Sequence, residues 1–148
     1  MPIDPILASD QPVILGFDPG RQKCGLAVMG VDRLVHYQAV VPTESAIVTI
    51  QSLRQRFPIS LIVLGDQTTA RSWKQQLTQA WPDPPSIILV DERYSSLEAR
   101  DRYWQMYPPQ SLFRLLPQSL RRIPRPIDDI VAILLIERYL AKLVGEAD

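Results

Sequence analysis

Two compact apolar runs, Val13 to Asp18 (VILGFD) and Ile59 to Gly65 (ISLIVLG), constrain the fold more than anything else in the chain. Each is apolar almost throughout and then stops abruptly, the first at Asp18-Pro19-Gly20 and the second at Gly65-Asp66. Short runs of this kind read as strands buried in the middle of a sheet and ending at turns. A third run, Ile87 to Val90, ends on Asp91-Glu92. The 148 residues suffice for one domain with a respectable core, and the apolar fraction of 46% says that the chain folds.

The rest of the pattern follows from these runs. Gly25 to Val31 and Leu34 to Val41 read as strands, and the Asp32-Arg33 link between them is short enough only for an antiparallel hairpin. Thr43 is placed to cap a helix to about Arg56, with Ile47, Ile50 and Leu53 at helical spacing. Thr69 is placed to cap a second, from Ala70 to about Trp81, stopped by Pro82, Pro84 and Pro85. Ser95 and Glu98 have the spacing of a capping box for a third, to about Gln105. Ile127 to about Val144 is apolar on nearly every side and reads as a largely buried last helix. The expected class is α/β, a five-stranded mixed sheet of three antiparallel strands and then αβαβα, with helices on both faces. That order matches an RNase H-like arrangement better than a doubly wound fold, which alternates from the outset. Residues 1–11 are expected to form a flexible tail, 12–145 a single domain, and 106–126 a Pro- and Arg-rich loop.

Cys24 and His36 are each the only residue of their type. No intramolecular disulfide, Cys- or His-based zinc site, or triad with a choice of histidine base can be built from them. Any metal must sit on oxygen ligands, which favours Mg2+ or Mn2+. No apolar run approaches the roughly 20 residues that span a bilayer, and the start lacks the features of a secretory signal, so a cytoplasmic protein without membrane contact is expected. The net charge of zero is uninformative, but its distribution is not. Arg114, Arg121, Arg122 and Arg125 fall in a stretch free of acids, while carboxylates gather at Asp18, Asp91-Glu92 and Asp128-Asp129.

Ligands of open α/β sheets collect at the carboxyl ends of strands. Asp18, Asp66 and Asp91-Glu92 close strands that end on one edge, and the last helix can bring the first-turn acids Asp128 and Asp129 there too. Singly, each acid fits a turn or a helix start. Jointly they would repel unless cations lay among them. Phosphodiester cleavage by two metals requires such carboxylates, and it needs neither a histidine nor a protein nucleophile.

Three segments carry a family resemblance: GFDPGRQKCGLAV (16–28), VDERYSSLEAR (90–100) and IDDIVAILLIERYL (127–140). In this order they resemble the signatures of the YqgF/RuvX family, RNase H-like proteins described as Holliday junction resolvases and as nucleases maturing pre-16S ribosomal RNA. The resemblance implies Asp18, Glu92 and Asp128 as catalytic metal ligands, with Asp129 and Asp66 as possible auxiliaries. Two departures stand out. The loop 106–126 is long and proline-rich where many relatives have a shorter one, and LGDQTT (64–69) differs from the expected G-x-P pattern.

Nucleic acid is the expected partner, either precursor ribosomal RNA or branched DNA, bound by a monomer or a homodimer. Arg21 and Lys23, in a turn framed by Gly20 and Gly25, are candidate phosphate contacts. So are Thr68 before a helix start, Arg93, and the loop residues Arg121, Arg122 and Arg125. For Arg93 an ion pair with a neighbouring acid is the preferred reading over a substrate contact. Trp104, Tyr107 and Phe113 either stack on unpaired bases or cover the last helix. The leading function is a metal-dependent endonuclease that processes the 5′ end of pre-16S rRNA; junction resolution on branched DNA and a non-catalytic RNA-binding assembly factor are the alternatives. An actin-like phosphotransferase also begins with D-x-G, but it needs a second domain for which this chain has no room.

Overall fold

The computed structural model describes residues 11–145, so the expectation of a flexible tail at 1–11 lies almost wholly outside it. Five strands, β1 (Val13–Asp18), β2 (Lys23–Gly30), β3 (Val35–Pro42), β4 (Ile59–Gly65) and β5 (Ser86–Val90), form one sheet in the order β3-β2-β1-β4-β5. β1 pairs antiparallel with β2 and β2 with β3, whereas β1, β4 and β5 run parallel. The α/β mixed sheet inferred from the chain is the one observed. The carboxyl ends of β1, β4 and β5 therefore share one edge.

Alternation along the central strands splits the core in two. Leu15, Phe17, Leu26, Val28, Ile62 and Leu64 face α1 (Ala46–Arg56) and α2 (Ala70–Gln79). Ile14, Ala27, Met29 and Val63 face α3 (Ser95–Met106) and α4 (Asp128–Leu143). Gly16 lies on the α4 side, where a Cβ would overlap the carbonyl of Ala132, so its bare backbone lets α4 settle against β1. Arg102 of α3 and Glu137 of α4 join the two helices through a two-pronged pair at 3.0 and 2.8 Å.

Helix starts depart from expectation. Thr43 begins a short 3-10 turn, Thr43–Ser45, and its hydroxyl donates to Gly20 O (2.8 Å) rather than capping a helix. Thr69 occupies the cap position of α2 without a side-chain cap bond. Ser95 lies inside α3, and Tyr94 precedes it with left-handed backbone (φ 62°). Glu98 turns to Arg138 instead of closing a capping box. In each case a tertiary partner or the turn geometry displaces the local bond. Between α3 and α4 the chain is irregular apart from 3-10 turns at Ser111–Leu115 and Gln118–Leu120. No helix among the described residues is long and apolar enough to cross a membrane.

Candidate active site

Asp18 is the last residue of β1 and is 7% exposed. Its partner across the ladder is Gly25, in β2, a strand that starts at Lys23, two residues earlier than the sequence suggested. A Cβ on Gly25 would overlap the backbone carbonyl of Asp128, so the missing side chain is what admits the first turn of α4 beside Asp18. Gly65, at the end of β4, does the same for Glu92, whose carboxylate occupies the space a Cβ would need.

The electrostatics register this gathering. Burial pushes the Asp18 carboxyl up to about 8, and the charges of Glu92 and then Asp128 push it the same way. Glu92 is also raised, chiefly by burial, against the opposing hydrogen bond from Gln67; the Asp66 charge adds to the rise and Arg138 resists it. Asp128 is raised by burial and lowered by nearby Lys23. Asp18 is the most deeply buried of the three, and burial is the largest cause of its shift.

Each acid is held differently. The Gln67 side-chain amide donates to Glu92 Oε1 at 2.7 Å, and Asp66 Oδ1 accepts the Glu92 N–H at 3.3 Å. Glu92 Oε2 is buried and has no hydrogen-bond partner. Asp129 is fully occupied: Oδ2 accepts from Gln38 Nε2 (2.8 Å), while Oδ1 accepts from Arg125 Nη1 (3.1 Å) and the Ile130 N–H (2.9 Å). Of the two neighbouring acids, Asp128 is the one whose charge reaches Asp18. Among the described residues no three His, Cys, Asp or Glu side chains close into a ready-made metal cage. The donor set nonetheless suits a hard divalent cation. It consists of carboxylate oxygens only, one of them buried and unpartnered, around an aspartate whose charge lacks compensation.

The cations divide. Arg21 and Lys23 are exposed in the turn between β1 and β2 and at its end, Lys23 within electrostatic reach of Asp128, and the neutral Thr68 is exposed after β4. Arg93 is exposed and makes no ion pair among the described residues; its backbone N–H donates to Asp91 Oδ1 (2.9 Å). Arg138 instead reaches Asp91 O (2.7 Å) and pairs with Glu98. In the loop, Arg121 lies over Trp104 and Arg125 over Tyr103 and Tyr107, each at 5.6 Å, and both are half-buried. Arg114 and Arg122 remain exposed. Trp104 belongs to the core, while Tyr107 and Phe113 are about half exposed.

Sequence reading missed Gln67 as the residue that orients Glu92, and Gln38 as a partner of Asp129. Nothing in the chain marks either beyond the position of Gln67 after a strand. It also missed the left-handed Tyr94.

The chain is 30% identical over 145 residues to a Xylella fastidiosa (strain 9a5c) protein named "Putative pre-16S rRNA nuclease", the alignment covering 87% of each. A Xanthomonas axonopodis pv. citri (strain 306) protein of the same name is 27% identical over 143 residues, with 86% of each covered. Among solved structures, T. thermophilus RuvC in complex with Holliday junction substrate superposes with a TM-score of 0.55 at 18% identity, covering 93% of this chain and 99% of that one. A second Thermus thermophilus RuvC structure gives 0.55 at 15% identity, covering 92% and 98%. At such identity the likeness shows the fold, which is RNase H-like. No family model matches the chain.

Proposed function

The chain belongs to the YqgF/RuvX family, and from that membership and the acid rim we propose that it is a metal-dependent endonuclease that processes the 5′ end of pre-16S rRNA. One observation carries the reading: the buried Asp18, at a strand end, is raised to about 8 by its surroundings, including the acids Glu92 and Asp128 that reach it from distant parts of the chain. Buried carboxyls shifted this way, with other acids close by, cluster at functional sites.

Asp18, Glu92 and Asp128 would hold Mg2+ or Mn2+. Bound there, such ions lower the pKa of an attacking water and stabilise the oxygen that leaves phosphorus. The chain's own part is to place the donors. Gln67 and Asp66 fix Glu92 from the end of β4, and Gly25 lets Asp128 stand beside Asp18. Asp129 ties the first turn of α4 to β3 through Gln38 and to the loop through Arg125, making it an auxiliary that holds Asp128 in place. Lys23, Arg21, Thr68, Arg93 and Arg122 surround the rim as phosphate contacts; Arg121 and Arg125 shape the loop that presents Arg122. The substrate assignment rests on the name its relatives carry.

The test is cleavage of precursor 16S rRNA, with a four-way DNA junction in parallel, each with manganese and with chelator. The reading expects cutting of the RNA near its 5′ end that chelator and Asp18→Asn both abolish. Cutting that persists unchanged in Asp18→Asn would mean that the activity does not belong to this rim.

A further inference from the structure

The turn that follows Glu92 contains a feature the acid rim does not use. Glu92 O accepts the Ser95 N–H at 3.0 Å, closing a four-residue turn in which Tyr94 is third, with φ 62° and ψ 11°. This is the position of a type II turn that calls for Gly or Asn, since a Cβ crowds the left-handed conformation. A tyrosine holds it here, with its side chain 70% exposed. That side chain caps nothing. Among the described residues it makes no hydrogen bond and no ring or cation contact. Tyr94 is one of three non-glycine residues with positive φ among the described residues, and it stands two residues from a proposed metal ligand, where such strain often marks a functional contact.

The Tyr94 ring lines a cleft of about 750 Å³ between the free edge of β5 and the C-terminal half of α4. Leu89, 45% exposed, gives it an apolar wall. Two of its acids are engaged, Glu98 by Arg138 and Glu137 by Arg102, and Asp91 accepts the Arg93 backbone N–H. Arg93 and Lys142 line the same cleft without an ion-pair partner among the described residues. The cleft thus offers an exposed π-face, an apolar wall and two unspent cations.

We propose that Tyr94 is the platform on which an unpaired base of the substrate stacks, beside the bond to be cut, while Arg93 and Lys142 receive the adjoining phosphates. The assignment rests on the nuclease reading of the neighbouring rim. Every base has a π-face, so such a subsite selects for single-stranded character rather than sequence, and a base stacked on both sides within a duplex cannot present its face to the ring.

Full-length protein in chelator, where nothing is cut, is titrated into a labelled short single-stranded RNA and, separately, into a blunt RNA duplex. Tyr94→Gly and Tyr94→Phe are compared with wild type. Glycine relieves the backbone, so that variant is expected to melt at or above the wild-type temperature while its single-strand affinity falls roughly tenfold. Tyr94→Phe keeps the ring and should bind the single strand like wild type, and duplex affinity should be the same for all three. The subsite is overturned if wild type does not bind the single strand, if Tyr94→Gly binds it as well as wild type, if Tyr94→Phe loses as much as Tyr94→Gly, or if the duplex loses equally. Cleavage of precursor RNA with manganese is scored separately. A wild type that never cuts but loses single-strand binding in Tyr94→Gly refutes the nuclease reading alone; intact cutting with unchanged binding refutes the subsite alone.

Discussion

Gly25 and Asp128 meet backbone to backbone, the carbonyl of Asp128 filling the space a side chain on Gly25 would take. Because Gly25 is also the ladder partner of Asp18, this single absence of a Cβ sets the approach between the end of β1 and the start of α4. The approach of Asp18 and Asp128 is thus set by packing. Several consequences can be measured.

Gly25→Ala must push the first turn of α4 outward. Overpacking of this kind costs about 1–3 kcal/mol, and a clash with backbone belongs at the upper end. Urea unfolding should show that loss, and manganese affinity should fall with it. A variant within about 0.5 kcal/mol of wild type would show that the helix has slack to give.

Asp18 gives the metal-free protein a distinctive pH dependence. Its folded pKa, about 8, lies above the ordinary value of 3.8, so the folded state holds a proton that the unfolded chain has released. The stabilisation is complete below the ordinary value and is lost as pH rises through the folded one. Glu92 and Asp128 are shifted in the same direction. Thermal melts in chelator should therefore drop for wild type between about pH 5 and about pH 8, and less for Asp18→Asn. At the upper end the variant should melt several degrees higher, on the order of 5 °C. Added Mg2+ or Mn2+ should raise the wild-type melt and leave the variant unmoved. Parallel curves for the two proteins would contradict the assigned burial of this charge.

The Gln67 side-chain amide donates to Glu92 Oε1 and leaves Oε2 unpartnered, available to a cation. Removing a partner that orients a metal ligand typically lowers affinity about 10–100-fold. Gln67→Ala should show that loss in manganese calorimetry while its melting temperature stays near wild type. Unchanged affinity would remove Gln67 from the account.

The two halves of the basic loop should behave oppositely. Arg125→Ala leaves the buried Asp129 short of a partner, and since the arginine is itself 34% exposed the loss should be modest, about 1–2 kcal/mol. Arg122→Ala should leave stability alone and lower RNA affinity, reducing the salt slope of binding by about one unit. If Arg122→Ala changed folding and not the salt slope, the division of labour drawn here would be reversed.

Much of this architecture can be read from the chain because it depends on burial. VILGFD and ISLIVLG announce central strands, and their ends place Asp18 and Asp66 on one edge without further information. The helix caps could not be read in the same way. Thr43 has the right identity for a cap, but Gly20 O, far away in sequence, accepts its hydroxyl; Glu98 has the right spacing, but Arg138 lies closer in space. The same limit hides Gln67, whose role depends on how β4 and β5 end side by side. Composition likewise could not show that Arg121 and Arg125, candidate phosphate contacts, lie over Trp104 and over Tyr103 and Tyr107. Between Asp128 and Asp129 the chain offers no preference beyond the spacing carried over from relatives. What separates them in space is that Gln38 and Arg125 occupy Asp129.

The most direct measurement is anomalous diffraction at the manganese edge from crystals grown with Mn2+. Manganese is expected to be held by the Asp18 carboxylate together with Glu92 or Asp128, with Asp129 still bonded to Gln38 and Arg125. Manganese bound elsewhere, or a structure in which the side chain of Glu92 or Asp128 faces away from Asp18 with the metal present, would contradict that expectation.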